Sequence, residues 1–240
     1  WTGFPELLFR HPRQGRVGTG FRLGGKLGIK REMPSVYVNQ NEQQACAESD
    51  DFTAERYRQM ARHLPKKCLR VLDLGCCTGA GGVALKQVRP ELELHGLDCS
   101  EKRLSHLPPV YAGKHGGDVT RMTFADGEFD AVLMGEFIEH LYPRDVDPCL
   151  CEVQRVLAVG GRILLTTPNP EGWKKRWRGE TVYALSHVSQ HFAAVLAWRL
   201  RMAGFDHVRV LGSGRVTRFL PERFFPRNLF GSLLYLGDKI

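Results

Sequence analysis

The 240-residue sequence contains no C-x-x-C pair; its seven cysteines are scattered, apart from an adjacent pair at Cys76 and Cys77 and a C-x-C at Cys149 and Cys151. An odd count without ligand spacing argues against a zinc site or a disulfide framework and predicts reduced thiols in a cytoplasmic protein. No apolar run reaches the roughly 18 residues needed to cross a bilayer, and no leader-like segment stands at the start. Two phosphate-binding signatures are also missing. No glycine-rich loop ends in Gly-Lys-Ser/Thr, and Gly75, Gly79, Gly81 and Gly82 do not fall at G-x-G-x-x-G. There is no internal repeat, and the length suits one α/β domain with an appended cap.

Acidic residues are outnumbered, 26 against 34 lysines and arginines, for a formal charge of +8. The excess fits an anionic partner such as nucleic acid, a phosphorylated substrate or an acidic membrane surface, and it serves solubility equally well. Part of it lies in residues 1–45, where Arg10, Arg13, Arg16, Arg22, Lys26, Lys30 and Arg31 recur without periodicity. These residues are expected to form a basic N-terminal arm or lid, and residues 46–240 the main domain.

The strongest local signal is Val71-Leu72-Asp73-Leu74-Gly75-Cys76-Cys77-Thr78-Gly79-Ala80-Gly81-Gly82. A short apolar run ending in glycines reads as a strand covered on both faces, then a turn where backbone can approach a ligand, then a helix from Gly79 to Val88. Before it, Tyr57, Met60, Ala61 and Leu64 recur at helical spacing and stop at Pro65. After it, Leu92 to Leu97 reads as a second strand ending at Asp98, about 20 residues past the glycine turn, where a carboxylate can accept from ribose hydroxyls. Asp98 can equally cap a helix beginning near Ser100. A weakly marked third strand lies between Val110 and Gly117 and ends at Asp118, which can also be a plain turn carboxylate.

Phe129 to Gly135 is a clear fourth strand running straight into Glu136-Phe137-Ile138-Glu139-His140. At helical spacing, Glu136, Glu139 and His140 would share one face. Asp147 and Pro148 read as a helix start, Gly160-Gly161 closes that helix, and Arg162 to Thr166 is a fifth strand. The Trp173 to Arg178 stretch interleaves two tryptophans with four cations and reads as a loop, either gripping an anionic, ring-bearing substrate or simply solvated. A helix from about Ser189 should turn Phe192, Val195, Leu196, Leu200 and Ala203 inward, and strands at Phe205 to Leu211 and Ser232 to Leu236 follow. Alternation of strands and helices predicts a mostly parallel sheet with helices on both faces.

Asp73-x-Gly75-x-Cys77-x-Gly79, with Asp98, FDAVLMGEFIEHL and VLAVGGRILLTTPNP following in order, resembles the class I S-adenosylmethionine (SAM) dependent methyltransferases; Cys77 stands at their middle glycine. The resemblance implies a Rossmann-like seven-stranded sheet with its last strand antiparallel. It also implies SAM as cofactor, with Asp73, Gly75, Cys77 and Gly79 at the methionine moiety and Asp98 on the ribose. Asp118 and Val119 would take the adenine, and Gly135 and Glu136 would flank the sulfonium. Methyl transfer to a hydroxyl needs a base, for which His140, His187 and His191 are the candidates. The E-x-x-E-H pattern with a later histidine also resembles the metal site of small-RNA 2′-O-methyltransferases and ubiquinone-pathway O-methyltransferases, which would make Glu136, Glu139, His140 and His187 ligands of a divalent cation. The Thr167-Pro168-Asn169-Pro170 loop, the H-V-x-x-H-F lead-in at His187 and the C-terminal hydrophobic strand resemble bacterial enzymes acting on a small-molecule, saccharide or lipid-linked acceptor, which the charge allows to be anionic. Alternatives are an RNA 2′-O-methyltransferase, or a methyltransferase-fold protein that only binds. An amine-directed nucleic-acid methylase is disfavoured, because no Asn/Asp-Pro-Pro-aromatic motif follows the fourth strand.

Overall fold

The computed structural model describes residues 37–38, 51–184, 186–214, 217 and 225–240. The chain divides into two units, residues 1–30 and 31–240. The first unit, and nearly all of the expected arm, lies outside the described residues. Tyr37 falls within the expected arm yet belongs to the second unit's core: it is buried, and its hydroxyl donates to Asp145 Oδ2 (2.5 Å) and accepts from Tyr142 N–H (3.0 Å).

Seven strands form one sheet in the order β3-β2-β1-β4-β5-β7-β6. They are β1 (Arg70–Leu74), β2 (Glu93–Asp98), β3 (Gly113–Gly116), β4 (Phe129–Gly135), β5 (Leu157–Pro168), β6 (Phe205–Ser213) and β7 (Ser232–Lys239). β1 to β5 pair in parallel, while β7 lies antiparallel between β5 and β6. The expected architecture is therefore present, including the inserted antiparallel last strand. Because β1 to β4 share one direction, Gly75, Asp98, Asp118 and Glu136 all follow strand ends on the same edge of the sheet. The strand order reverses between β1 and β4, which is where open α/β sheets place their ligands.

Alternation along the strands divides the core into two layers. On one face Leu72, Leu74, Val132, Met134, Ile163 and Leu165 pack with α4 (Pro143–Val156) and α6 (Ala193–Met202). On the other, Val71, Leu94, Leu133 and Leu164 pack with α1 (Asp51–His63), α2 (Ala80–Val88) and α3 (Glu101–Ser105). Val71, Leu72 and Leu74 have no exposed surface, and each such side chain contributes about 1.5–3 kcal/mol through burial.

Four local expectations change, the first being that the helix expected to close at Gly160-Gly161 ends at Val156, with both glycines inside β5. α4 begins at Pro143, not Pro148, since Tyr142 supplies the extended cap and Pro143 the fixed first φ. Trp173–Arg178 forms a short helix, α5, closed by Gly179 at φ +64. On α6 only Leu196, Ala197 and Leu200 are buried, whereas Phe192 and Val195 face outward, because apolar residues surround this helix and only one side meets the sheet.

Candidate active site

β1 delivers its chain into a turn in which Gly75 (φ +75), Cys77 (φ +52) and Gly79 (φ +93) all adopt left-handed backbone. Gly75 N–H donates to Leu97 O (2.8 Å) and Cys77 N–H to Asp98 Oδ2 (3.1 Å), so the turn is tied to the end of β2. Glycine is required at Gly75 because Phe137 lies there: a Cβ would stand 2.2 Å from its ring. Cys77 tolerates a conformation that favours glycine. It is disulfide-bonded, so the expectation that every cysteine is a free thiol fails at this residue; Cys68, Cys76, Cys99, Cys149 and Cys151 are free. Cys76 is buried behind the turn, leaving Cys77 as the more exposed member of the pair.

Gly79 caps α2 without a side-chain hydrogen bond, so the first-turn N–H groups of that helix remain available to a ligand's anionic group. Asp98 is buried and accepts from Ser100 N–H at Oδ1 (2.9 Å) and from Cys77 N–H at Oδ2. Burial raises its pKa, opposed by those amides and by Arg103. The helix cap itself is Ser100, whose hydroxyl accepts from Arg103 N–H, so Asp98 is not spent on that role. Asp118 Oδ1 accepts from the Thr120 amide and hydroxyl, both at 2.8 Å, while Val119 is buried beside it. Strand-end carboxylates, the turn between Gly75 and Gly79 and a helix start without a side-chain cap thus lie together at one edge of the sheet.

Asp73 is placed differently from expectation. It has no exposed surface, and both its oxygens are taken, Oδ1 by the Tyr57 hydroxyl (2.6 Å) and Oδ2 by the Tyr111 hydroxyl (2.5 Å). Burial, and then Asp73 itself, pushes both phenols well above their ordinary range. The tyrosine rings occupy space that glycines leave open. A Cβ on Gly81 would stand 2.3 Å from the Tyr57 ring, one on Gly135 2.8 Å from it, and one on Gly82 2.2 Å from the Tyr111 hydroxyl. Asp73 thus fastens α1 and the segment before β3 to β1 behind the turn. Tyr57→Phe and Tyr111→Phe are each expected to cost about 2 kcal/mol, the penalty for leaving a buried carboxyl oxygen without its donor. Urea unfolding would measure it, and unchanged midpoints in both variants would refute the clamp.

Beyond β4 the chain does not continue as the expected α-helix. Glu136 adopts φ +50, its N–H donates to Thr166 O and Oγ1 (both 3.1 Å), and Ile138–His140 forms a single 3-10 turn. Glu136 lies 3.5 Å from the buried Arg56 Nε, and its carboxylate does not join the ligand-type atoms of Glu139 and His140, although its charge still acts on Glu139. The group that does assemble is Glu139, His140 and His187, whose ligand-type atoms all lie within 4.8 Å of one another. His187 arrives because Val188 and Ser189 N–H both donate to Glu139 O (3.0 and 3.1 Å). His140 Nδ1 donates to Ser186 O (3.1 Å) and His187 Nδ1 to Val182 O (2.9 Å), which leaves each Nε2 as an acceptor when the ring is neutral. Of the four candidate ligands Glu136 drops out, because its backbone turn carries it to Arg56.

Glu139 has no exposed surface. Its Oε2 accepts from Thr167 Oγ1 (3.1 Å), and Oε1 has no hydrogen-bond partner among the described residues. Burial, and then the nearby Glu136, raise its pKa well above the carboxylate range. His140 is pushed down to about 4 by burial and by His187. His191 is also pushed down to about 4 by burial; it is hydrogen-bonded to Ser189 Oγ (2.9 Å), and this packing makes it a support for the segment after His187. It therefore does not join His140 and His187.

The His191 value has a consequence for stability. The unfolded chain takes up a proton near pH 6.5 that the folded chain accepts only near 4, so stability falls as pH drops through that window. Glu139 titrates in the opposite sense, so the effect is isolated as a difference. Relative to His191→Gln, the wild type should lose about 2 kcal/mol more between about pH 7 and pH 5 in urea unfolding. Parallel profiles would show that His191 is not buried neutral.

Residues 72–165 match a family described as "Methyltransferase domain". The fatty-acid O-methyltransferase of Mycolicibacterium smegmatis is 31% identical over 173 residues, 68% of this chain and 62% of that protein. The malonyl-[acyl-carrier protein] O-methyltransferase of Legionella pneumophila is 28% identical over 50% of this chain and 44% of its own length. The chain thus spans about half to three-fifths of the curated relatives it matches. A SAM-dependent methyltransferase from Archaeoglobus fulgidus superposes with a TM-score of 0.61 at 21% identity, covering 78% of this chain and 92% of that one. This chain carries a methyltransferase domain on the class I fold. In that domain the residues missed by sequence reading are Arg56, Tyr57, Tyr111 and Phe137. Tyr57 was visible only as an apolar position on an amphipathic helix, and its hydroxyl gains a role only when α1 packs on β1. The methyltransferase domain brings together the glycine turn, Asp98, Asp118 and Val119 at one sheet edge, as their strand-end positions imply.

Proposed function

We propose that this chain transfers the methyl group of SAM to an oxygen of a small acyl, lipid-linked or saccharide acceptor. The observation that carries the reading is the pair of imidazoles beyond β4, each with Nδ1 spent on a backbone carbonyl and Nε2 left to accept, beside Glu139. SAM supplies a methyl group on a cationic sulfonium, open to in-line displacement by an incoming oxygen. The glycine turn and Asp98 would hold the methionine and ribose, Asp118 and Val119 the adenine. Glu136, next to the turn through Phe137 on Gly75, provides negative charge near the sulfonium. Much of the rate comes from holding the oxygen in line. A hydroxyl must also lose its proton, and Nε2 of His140 or His187 is the acceptor within this group.

Glu139, His140 and His187 also fit a divalent ion, because the unpartnered Glu139 Oε1 calls for a cation; such an ion, when bound, lowers the pKa of an acceptor hydroxyl. The acyl and lipid classes are favoured by relatives named as fatty-acid, malonyl-[acyl-carrier protein] and phthiotriol/phenolphthiotriol dimycocerosates methyltransferases. The test is transfer of radiolabelled methyl from SAM into separate pools of fatty acids and lipids, saccharides, small metabolites and RNA. Label in an oxygen-linked methyl of the lipid or saccharide pools is the expected result. Label confined to RNA, or carried on nitrogen or carbon, would overturn the reading.

A further inference from the structure

α5 (Trp173–Arg178) buries none of its residues. Trp173 is 47% exposed and Trp177 80% exposed. A helix without core contacts has no packing reason to be rich in tryptophan, and an exposed apolar surface rimmed by cations marks an interaction site. Between the two tryptophans stand Lys174, Lys175 and Arg176, and Arg178 follows Trp177; Lys174 Nζ lies 5.8 Å from the Trp173 ring centre. The acids close by are already engaged: Glu180 faces Arg178 at 3.6 Å, and Glu171 Oε2 accepts from Ala193 N–H (3.0 Å). That last bond brings the exposed Phe192, at the start of α6, next to the start of α5. The 3-10 turn Arg227–Leu229, with Leu229 half exposed, also packs against α5. The patch follows β5, whose carboxyl end lies on the cofactor edge of the sheet.

We infer that this face docks onto an anionic lipid surface, with the tryptophans, Leu229 and Phe192 entering the interface and the cations meeting the headgroups. Aromatic belts with interleaved Lys and Arg match the headgroup level of a bilayer, where an amphipathic indole has one apolar and one wet side. Each cation near such a surface adds attraction that accumulates with the others. Single-stranded RNA would also accept stacking rings and cations, but it gains nothing from the aliphatic Leu229. The docking stands on this patch alone and places the cofactor edge near any acceptor drawn from the membrane.

The test is co-sedimentation of the full chain with vesicles of phosphatidylcholine alone or of equimolar phosphatidylcholine and phosphatidylglycerol. No acceptor and no turnover are involved, so failure here leaves the methyl-transfer reading intact, and failure of the acceptor screen leaves this one intact. Binding to the anionic vesicles, weakened by salt, is expected. It should fall on the order of 100-fold in the combined Lys174→Gln, Lys175→Gln, Arg176→Gln variant, and on the order of tenfold in Trp173→Ala with Trp177→Ala. Because α5 buries nothing, both variants should keep the wild-type melting temperature and SAM affinity. Equal binding to neutral vesicles, binding indifferent to both variants, no binding at all, or tighter binding to a single-stranded RNA would each overturn the inference.

Discussion

His140→Ala is expected to lower turnover by a factor on the order of 10² to 10⁴ while leaving SAM affinity unchanged, the range for removing a positioned proton acceptor or a metal ligand at the reacting oxygen. The expectation rests on the shared environment of His140, His187 and Glu139, whose ligand-type atoms all lie within 4.8 Å of one another. Because His140 holds its proton only near pH 4, the wild-type rate should be flat through neutral pH and fall as pH approaches about 4. Chelation separates the two ways in which His140 can act. Activity lost in chelator, restored by a divalent ion and equally lost in His187→Ala, marks a ligand role; full activity in chelator marks a base. A His140→Ala enzyme with wild-type turnover would remove His140 from the mechanism, and the same result in His187→Ala would remove the cluster.

Asp98→Ala should weaken SAM binding on the order of 100-fold. Two ribose hydroxyls donating to one carboxylate contribute about 3 kcal/mol together, at the low end for hydrogen bonds to a charged group. Titration calorimetry gives the affinity directly, and Asp98→Asn should fall between the two. Since Asp98 also accepts from Cys77 and Ser100, part of the loss could come from a loosened turn. A melting temperature measured without SAM shows that part: a small change there with a large change in affinity assigns the effect to the ribose. Equal affinities in wild type and Asp98→Ala would mean that the ribose is held elsewhere.

The elements along the sheet edge were legible because their signals are local. A buried parallel strand must be an apolar run, the turn after it must admit positive φ, and an acid ending the next strand needs only correct counting. Gly75, Gly79, Asp98 and Asp118 could therefore be placed from their neighbours in sequence. Glu136, by contrast, was read on a helical face with Glu139 and His140, and the structure turns it away at φ +50 toward Arg56. Spacing predicts a shared face only where the backbone is helical, and here a hydrogen bond to Thr166, from a different strand, decides that it is not. The same holds for α6, whose apolar residues all round could not say which side would meet the sheet.

By itself, then, the sequence determined the order of strands, the glycine turn and the carboxylates at the strand ends, since each follows from residues adjacent in the chain. Only the tertiary structure showed that both Asp73 carboxylate oxygens accept from Tyr57 and Tyr111, and it set His187 beside His140 while His191 packs on Ser189. Those outcomes depend on hydroxyls and amides that are distant in sequence: Tyr111 reaches Asp73 across 38 residues, and Val188 and Ser189 reach Glu139 through their backbones alone. A backbone amide has no side-chain identity, so no residue type in the sequence could announce it.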